Sequence, residues 1–224
     1  MTEERRNSLK TIIDALPTLL QPDVIRLLLQ LTEFLAQRFS KPAVIGMYEV
    51  LEHSCQLELC TADGQDAIYT KRQRVTFLQD NIIAYQDDTW GDGDIFAEYQ
   101  CSPGTAVDRY KEGQHHHVLI SLRKTMNRGD VQGFHIRRRI RNGFTKRTDD
   151  FQVEVNHRTH KLTMQVVFPP ERWPKQCWLI EQNTRRTQAL SAEHFSNLSD
   201  KRLQVTWNTD KPKLFEMYIL RWEW

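Results

Sequence analysis

The chain has 224 residues, of which 39% are hydrophobic and 27% are charged, a composition that can bury a hydrophobic core and is not typical of a disordered protein. Its 31 basic and 29 acidic side chains nearly cancel. This balance excludes a global charge that would draw the whole molecule to nucleic acid or to a membrane surface, so any site for an anionic partner must be local.

The sequence shows no apolar signal segment at its start and no run of about 18 apolar residues of the kind that spans a bilayer. Its four cysteines are Cys55, Cys60, Cys101 and Cys177, and their spread in a chain of this size does not suggest a disulfide framework. The sequence therefore predicts a cytoplasmic protein with no membrane partner.

Residues 7–40 carry the strongest helical signal, within an N-terminal unit that we place at residues 1–41. Apolar residues recur there at helical spacing, and Ser8 is placed to cap the first turn. Pro17 interrupts the pattern, and Pro22 is well placed near the start of a second helix that we expect to end near Phe39. The spacing predicts an N-terminal α-helical hairpin.

The second of these helices is apolar over more of its surface than a one-sided amphipathic helix requires. Under one interpretation, one face packs on the first helix and the other on the body of the same protein. Under the other, the surplus face docks a partner chain or a second copy of this chain, so that a homo-oligomer is also conceivable. The residues predicted for partner binding are Ile25, Leu28, Leu31, Leu35 and Phe39.

From residue 42 onward, strand-favouring residues alternate with polar ones, and no helical pattern of comparable length follows. Turn sequences such as Asp63-Gly64 and Asn142-Gly143 separate the short runs. The sequence therefore predicts a mainly β, β-sandwich-like fold, built as one sandwich or as two small ones. The predicted strands span residues 46–52, 55–60, 66–78, 81–86, 116–123, 131–141, 151–156, 161–168, 177–182, 203–206 and 215–224.

A proline-rich segment between Phe168 and Pro174 suggests a boundary, because a central paired strand does not accommodate several prolines. We therefore divide the β region into a domain at residues 42–168 and a stretch at residues 169–224. That stretch is either a second β unit or a continuation of the sandwich.

The most basic segment is 134–147, which contains no acidic residue. On a strand, its apolar residues would face one side and alternate arginines the other. Such a row of arginines can track phosphates, whereas the alternative is a solvated face that pairs with acidic neighbours. The residues predicted for nucleic-acid binding are Arg137, Arg139, Arg141, Lys146 and Arg147.

Histidines and cysteines suggest metal binding only superficially. In the run 115–117, adjacent strand residues point to opposite faces, so at most His115 and His117 converge. Cys55 and Cys60 have no second pair at zinc spacing, which favours buried small residues instead. The sequence therefore predicts no metal site here.

The acidic segment 87–94 contains four aspartates, two glycines and Trp90. It lacks the register and the flanking helices of a calcium-binding EF-hand, so a long acidic loop around a packed Trp90 is the alternative. No nucleophile elbow, phosphate-binding loop, zinc-protease or dinucleotide motif occurs in the sequence. We therefore predict no catalytic residue and no cofactor, and we do not expect an enzyme.

Three stretches, Trp90-Gly-Asp-Gly93, Val118-Leu-Ile-Ser-Leu-Arg123 and Phe168-Pro-Pro-Glu-Arg172, precede a tryptophan-rich end. In this layout the chain from about residue 45 to 224 resembles accessory β-sandwich modules of bacterial conflict, defence and signalling systems. The resemblance implies an adaptor or regulator of an effector, such as a protease or a nucleotide-sensing enzyme, without catalysis of its own.

Three functions follow as hypotheses. The first is a non-catalytic protein-interaction or regulatory module whose helical hairpin docks a protein partner. The alternative is a nucleic-acid-binding accessory protein that uses the basic strand at 134–147. The third, which we favour least, is a hydrolase with a site assembled around the acidic segment.

Overall fold

The computed structural model describes residues 46–224, which form fourteen strands in three sheets. This confirms the mainly β, sandwich-like class. The predicted hairpin at 1–41, with its partner-binding residues, lies outside the described residues and stays a prediction. The single helical element between residues 46 and 224 is the short 3-10 turn Ala192–His194, and no helix in that range could cross a membrane.

The strands follow one another through short connections. They are β1 (Tyr48–Leu59), β2 (Asp66–Phe77), β3 (Ile82–Thr89), β4 (Asp94–Ser102), β5 (Thr105–Glu112), β6 (His115–Met126), β7 (Val131–Arg141), β8 (Thr148–Glu154), β9 (Lys161–Phe168), β10 (Gln176–Glu181), β11 (Arg186–Ala189), β12 (Phe195–Asn197), β13 (Leu203–Asp210) and β14 (Met217–Glu223).

The largest sheet has seven strands in the order β12-β13-β9-β1-β2-β7-β4, in which only β1 and β9 are parallel neighbours. A four-stranded sheet has the order β11-β10-β14-β8, and a three-stranded sheet has the order β3-β6-β5. Strands from both sides of residue 168 thus share sheets, since β13 pairs with β9 and β14 pairs with β8.

The inner face of the large sheet follows from strict alternation along its central strands. On β2, Ala67, Tyr69, Val75 and Phe77 are buried, whereas Arg72 on the opposite face is exposed. On β1 the register against β2 shifts between Val50 and Glu52. This bulge inserts one residue into the strand. Val50 and Cys55 therefore face the same interior, although residues an odd number of positions apart point to opposite faces of a regular strand.

Both small sheets cover this same inner face, one at each end of the strands. Tyr69 of β2 belongs to a first core that includes Leu57 and Trp222 and is closed by the four-stranded sheet. Val75 of β2 belongs to a second core that includes Ile120 and is closed by the three-stranded sheet. The two cores therefore meet along the middle of the large sheet.

Polar side chains occupy that middle. Lys71 and Gln73 of β2 and Arg138 of β7 point inward and are 9%, 7% and 7% exposed. His53 of β1 lies opposite Gln73, and Arg138 lies opposite Tyr69. We call His53, Lys71, Gln73 and Arg138 the polar band.

Candidate functional site

A cleft of about 700 Å³ lies over the polar band. Its floor comes from β1, β2 and β7. One wall is the continuous segment 148–156, which contains β8, and the other includes the segment 88–92 at the end of β3. The cleft therefore occupies the gap between the two small sheets, and its volume falls in the range of small-ligand sites.

Lys71 is held in the floor by a buried carboxylate. Its Nζ donates to Asp87 Oδ1 at 3.0 Å, and Tyr99 Oη donates to Asp87 Oδ2 at 3.2 Å. The Asp87 side chain is only 1% exposed. Burial opposes the charge of Lys71, but the Asp87 carboxylate outweighs it and raises the pKa of Lys71 above its ordinary value. The pair is therefore a buried salt bridge that ties β2 to β3.

Arg138 has no such carboxylate partner in the described part of the chain. Its guanidinium carbon lies 4.2 Å from the centre of the Tyr69 ring, a cation–π contact. Its Nε and Nη1 atoms are buried and have no hydrogen-bond partner among residues 46–224. Because a buried donor without a partner costs about 1–3 kcal/mol, and more for a charged group, this arrangement is unfavourable unless another group completes it.

The two histidines of the cleft are neutral. Burial, together with the nearby charge of Lys71, lowers the pKa of His53 to about 3. The same two causes lower the pKa of His157, whose ring lies 4.3 Å from that of Tyr48. His53 Nε2, like the Arg138 nitrogens, is buried without a hydrogen-bond partner in the described part of the chain.

Asp149 of β8 is the titratable group of the wall. It is 8% exposed, and its Oδ2 accepts the backbone N–H of Lys146 at 2.9 Å. Burial raises the pKa of Asp149 to about 6, even though that hydrogen bond and the Lys146 charge act in the opposite direction. Its charge therefore changes near neutral pH.

Trp90 joins the two walls. Its Nε1 donates to Gln152 Oε1 of β8 at 3.1 Å. The turn that follows Trp90 lies directly on β7, because a Cβ atom on Gly93 would be 2.2 Å from the carbonyl oxygen of Arg141. Gly93 also has φ +74°, so glycine is required there on two counts.

The predicted nucleic-acid residues lie largely outside this cleft. Arg137, Arg139 and Arg141 are on the outer face of the large sheet, as their alternation predicts, whereas Arg138 between them points inward. Arg139 forms a bidentate pair with Asp66, with both N···O distances at 2.7 Å, and a second pair with Glu98.

The other two basic residues of the set are also paired. Lys146, on the cleft wall, pairs with Asp92 at 2.5 Å, and Arg147 pairs with Glu223 at 2.9 Å. Three of the five predicted residues are therefore neutralised by carboxylates, which is typical of a solvated charged face. Nucleic-acid binding stays a prediction.

The acidic segment is not one long loop. Asp87 and Asp88 belong to β3 and Asp94 begins β4, so only residues 90–93 connect the two strands. Asp87 is the buried partner of Lys71, and Asp88 accepts a hydrogen bond from His117 Nδ1 at 2.6 Å. Between residues 46 and 224, no group of three His, Cys, Asp or Glu side chains could hold a metal ion.

Cys55 is fully buried in the first core and Cys60 is exposed at the end of β1, so the two cysteines do not converge. Among the histidines of the run 115–117, His115 and His117 share a face, with ring centres 6.5 Å apart. Both placements match the alternation of the sequence.

Lys71, Gln73 and Arg138 were not singled out by motif. The signal that could have found them is their position, since each has the parity of the buried apolar residues of its strand. A charged residue at an inward strand position must be paired or functional, because an uncompensated buried charge is costly.

No family model and no curated protein matches the chain. Among solved structures, it is similar to an M1 zinc metallopeptidase from Deinococcus radiodurans, at 9% identity and a TM-score of 0.45 over 77% of this chain. It is also similar to a putative protease from Parabacteroides distasonis, at 11% identity and a TM-score of 0.49 over 80% of this chain. The chain spans 42% and 40% of the lengths of those two proteins.

Proposed function

We propose that this protein is a non-catalytic, cytoplasmic recognition module that binds an anionic group of its partner on Arg138 in the cleft. The observation that supports this proposal most is the guanidinium of Arg138, a residue of the cleft floor with two buried nitrogens that have no hydrogen-bond partner among residues 46–224. A guanidinium presents its donors in a fork that matches carboxylate and phosphate. The role is that of an adaptor or regulator, as the sequence led us to expect.

The charges of the floor itself favour an anion there. Lys71 and Arg138 are two buried cations, and Asp87 balances only one of them. At the rim, Asp92 pairs with Lys146 and Asp150 pairs with Arg221 at 3.0 Å, whereas Glu154 has no ion-pair partner among residues 46–224. An anionic group on Arg138 would supply the missing counter-charge.

The proposal is tested by thermal shift and calorimetric titration with inorganic phosphate and with succinate. We expect at least one of the two anions to raise the melting temperature of the full chain, since a ligand that binds only the folded state stabilises it. The Arg138→Met variant should lose this response. Arg137→Met, a change at the adjacent residue on the outer face, is the matched control and should keep it.

The stability of the variant separates function from folding. Because Arg138→Met replaces an uncompensated buried charge with an apolar side chain of similar length, it should be at least as stable as the parent protein. If neither anion binds, or if Arg138→Met binds as well as the parent, the proposal is wrong.

A further inference from the structure

The wall formed by β8 is an unpaired strand edge among residues 46–224. In that part of the chain β8 is the last strand of the four-stranded sheet and pairs only with β14. All nine residues of the segment 148–156 line the cleft. Successive strand residues point to opposite faces, so a continuous run can line one cleft only if the strand presents its edge to it.

An unpaired edge offers backbone groups at regular spacing. In an antiparallel pair, each strand uses the N–H and C=O groups of alternate residues, so the remaining alternate groups of β8 point away from β14. Exposed edges of this kind are usually blocked by charged side chains, above all lysine, by proline or by a covering segment. The sequence of β8, Thr-Asp-Asp-Phe-Gln-Val-Glu, contains neither proline nor lysine, and its three charged residues are all acidic.

The edge is close to the unpaired arginine. Phe151 of β8 makes an edge-to-face contact with Tyr69, with ring centres 5.8 Å apart. The same Tyr69 ring carries the Arg138 guanidinium at 4.2 Å. A single aromatic ring therefore separates β8 from the Arg138 guanidinium.

We propose that the partner of this cleft is an extended polypeptide segment that adds to the free edge of β8 and places an acidic side chain on Arg138. This inference rests on the proposed function and names its ligand class. Backbone hydrogen bonds to β8 would supply affinity, and side-chain positions facing the floor would supply specificity.

The second face of β8 determines which side chain the added strand should carry next to its acidic one. Asp150, Gln152 and Glu154 lie on the face of β8 that points away from the first core. Glu154 has no ion-pair partner among residues 46–224, and its Oε2 only accepts a hydrogen bond from Asn156. Opposite charges on neighbouring strands attract, so the residue next to the acidic one in the partner should be basic.

The test is a selection of displayed random peptides of about ten residues on the full chain. We expect enriched peptides to share an acidic residue directly beside a basic one. The affinity of a selected peptide should fall at least about tenfold in Arg138→Met and stay within about threefold in Arg137→Met. Glu154→Gln, which keeps the acceptor for Asn156, should remove the preference for the basic neighbour.

Backbone pairing is tested by N-methylation of the selected peptide. Methylation of one set of alternate nitrogens should abolish binding, and methylation of the other set should leave it nearly unchanged, because a single edge uses alternate groups. Equal effects at both sets would overturn strand addition.

The outcomes separate the two proposals. If no peptide is enriched while inorganic phosphate or succinate still binds through Arg138, the polypeptide inference is wrong and the anion-binding function stands. If peptides bind equally well to Arg138→Met, the site at Arg138 is wrong for the anion-binding function and for the polypeptide inference. A nucleic acid could instead displace the selected peptide. If its binding falls in Arg137→Met and not in Arg138→Met, recognition lies on the outer face and the inference is wrong.

Discussion

At the scale of single residues, the polar band shows that inward charges on a sheet need not be equivalent. Lys71 has a buried carboxylate partner, and Arg138 has none among residues 46–224. The first is a structural pair that supports the fold, and the second is an unsatisfied group that lowers stability. Substitution by methionine is therefore expected to lower the stability of the protein at Lys71 but not at Arg138.

We expect Lys71→Met to destabilise the protein by about 3–5 kcal/mol, because it leaves the Asp87 carboxylate buried without its cation. The double variant Lys71→Met/Asp87→Asn should recover most of this loss, since no charge then remains in the pair. Chemical unfolding of both variants measures the difference. A single variant as stable as the parent would show that the pair is not structural.

Asp149 predicts a dependence of stability on pH. Its pKa in the folded protein is about 6, above its ordinary value of 3.8, so the folded state binds the proton more tightly than the unfolded chain. The stabilisation from the protonated carboxyl is complete below the ordinary value and is lost as the pH rises through about 6.

The variant Asp149→Asn should therefore melt higher than the parent at about pH 8, by roughly 2–5 °C, and show much less gain at about pH 4. The amide oxygen can still accept the Lys146 N–H, so the change removes the charge and keeps the hydrogen bond. Asp150→Asn is the control, because Asp150 already pairs with Arg221 and its neutralisation should bring no gain at about pH 8. A gain that did not change with pH would contradict the assignment.

At the scale of elements, alternation in the sequence predicts the strands that have one buried face and fails for those that do not. β2, β7 and β9 match the predicted ranges to within one residue. β5 was missed because every one of its residues is exposed, which leaves no apolar period. β1 was predicted as two strands because its bulge breaks the period between Val50 and Glu52.

The turn between β3 and β4 offers an element-scale prediction. Gly93→Ala should destabilise the protein by more than about 2 kcal/mol, because the new Cβ would meet a backbone carbonyl and φ is positive. Gly113→Ala is the matched control, since Gly113 also has positive φ, at +59°, but no atom within 4 Å of its Cβ position. It should cost only about 1 kcal/mol, as measured by thermal unfolding. Equal losses would mean that the turn can move away from β7.

At the scale of the whole described region, composition and alternation were sufficient for the β class but not for the arrangement of sheets. The parallel pairing of β1 with β9 joins His53 to Leu162 and has no local sequence signal. The cleft could not be predicted for the same reason, because it exists only where two small sheets leave the middle of a large one uncovered. The inward position of Arg138 can be explained only when the position of that gap is known.

The shared sheet predicts that the two cores unfold together. Leu57→Ala in the first core and Ile120→Ala in the second should each cost about 2–5 kcal/mol, since both side chains are fully buried. β1, β2 and β7 contribute to both cores, so loss of one core should remove the support of the other. Each variant should therefore lower the free energy of unfolding equally whether it is measured by tryptophan fluorescence, to which Trp222 and Trp224 of the first core contribute, or by amide exchange on β6. Two independent sandwiches would instead show each substitution shifting only the probe in its own core.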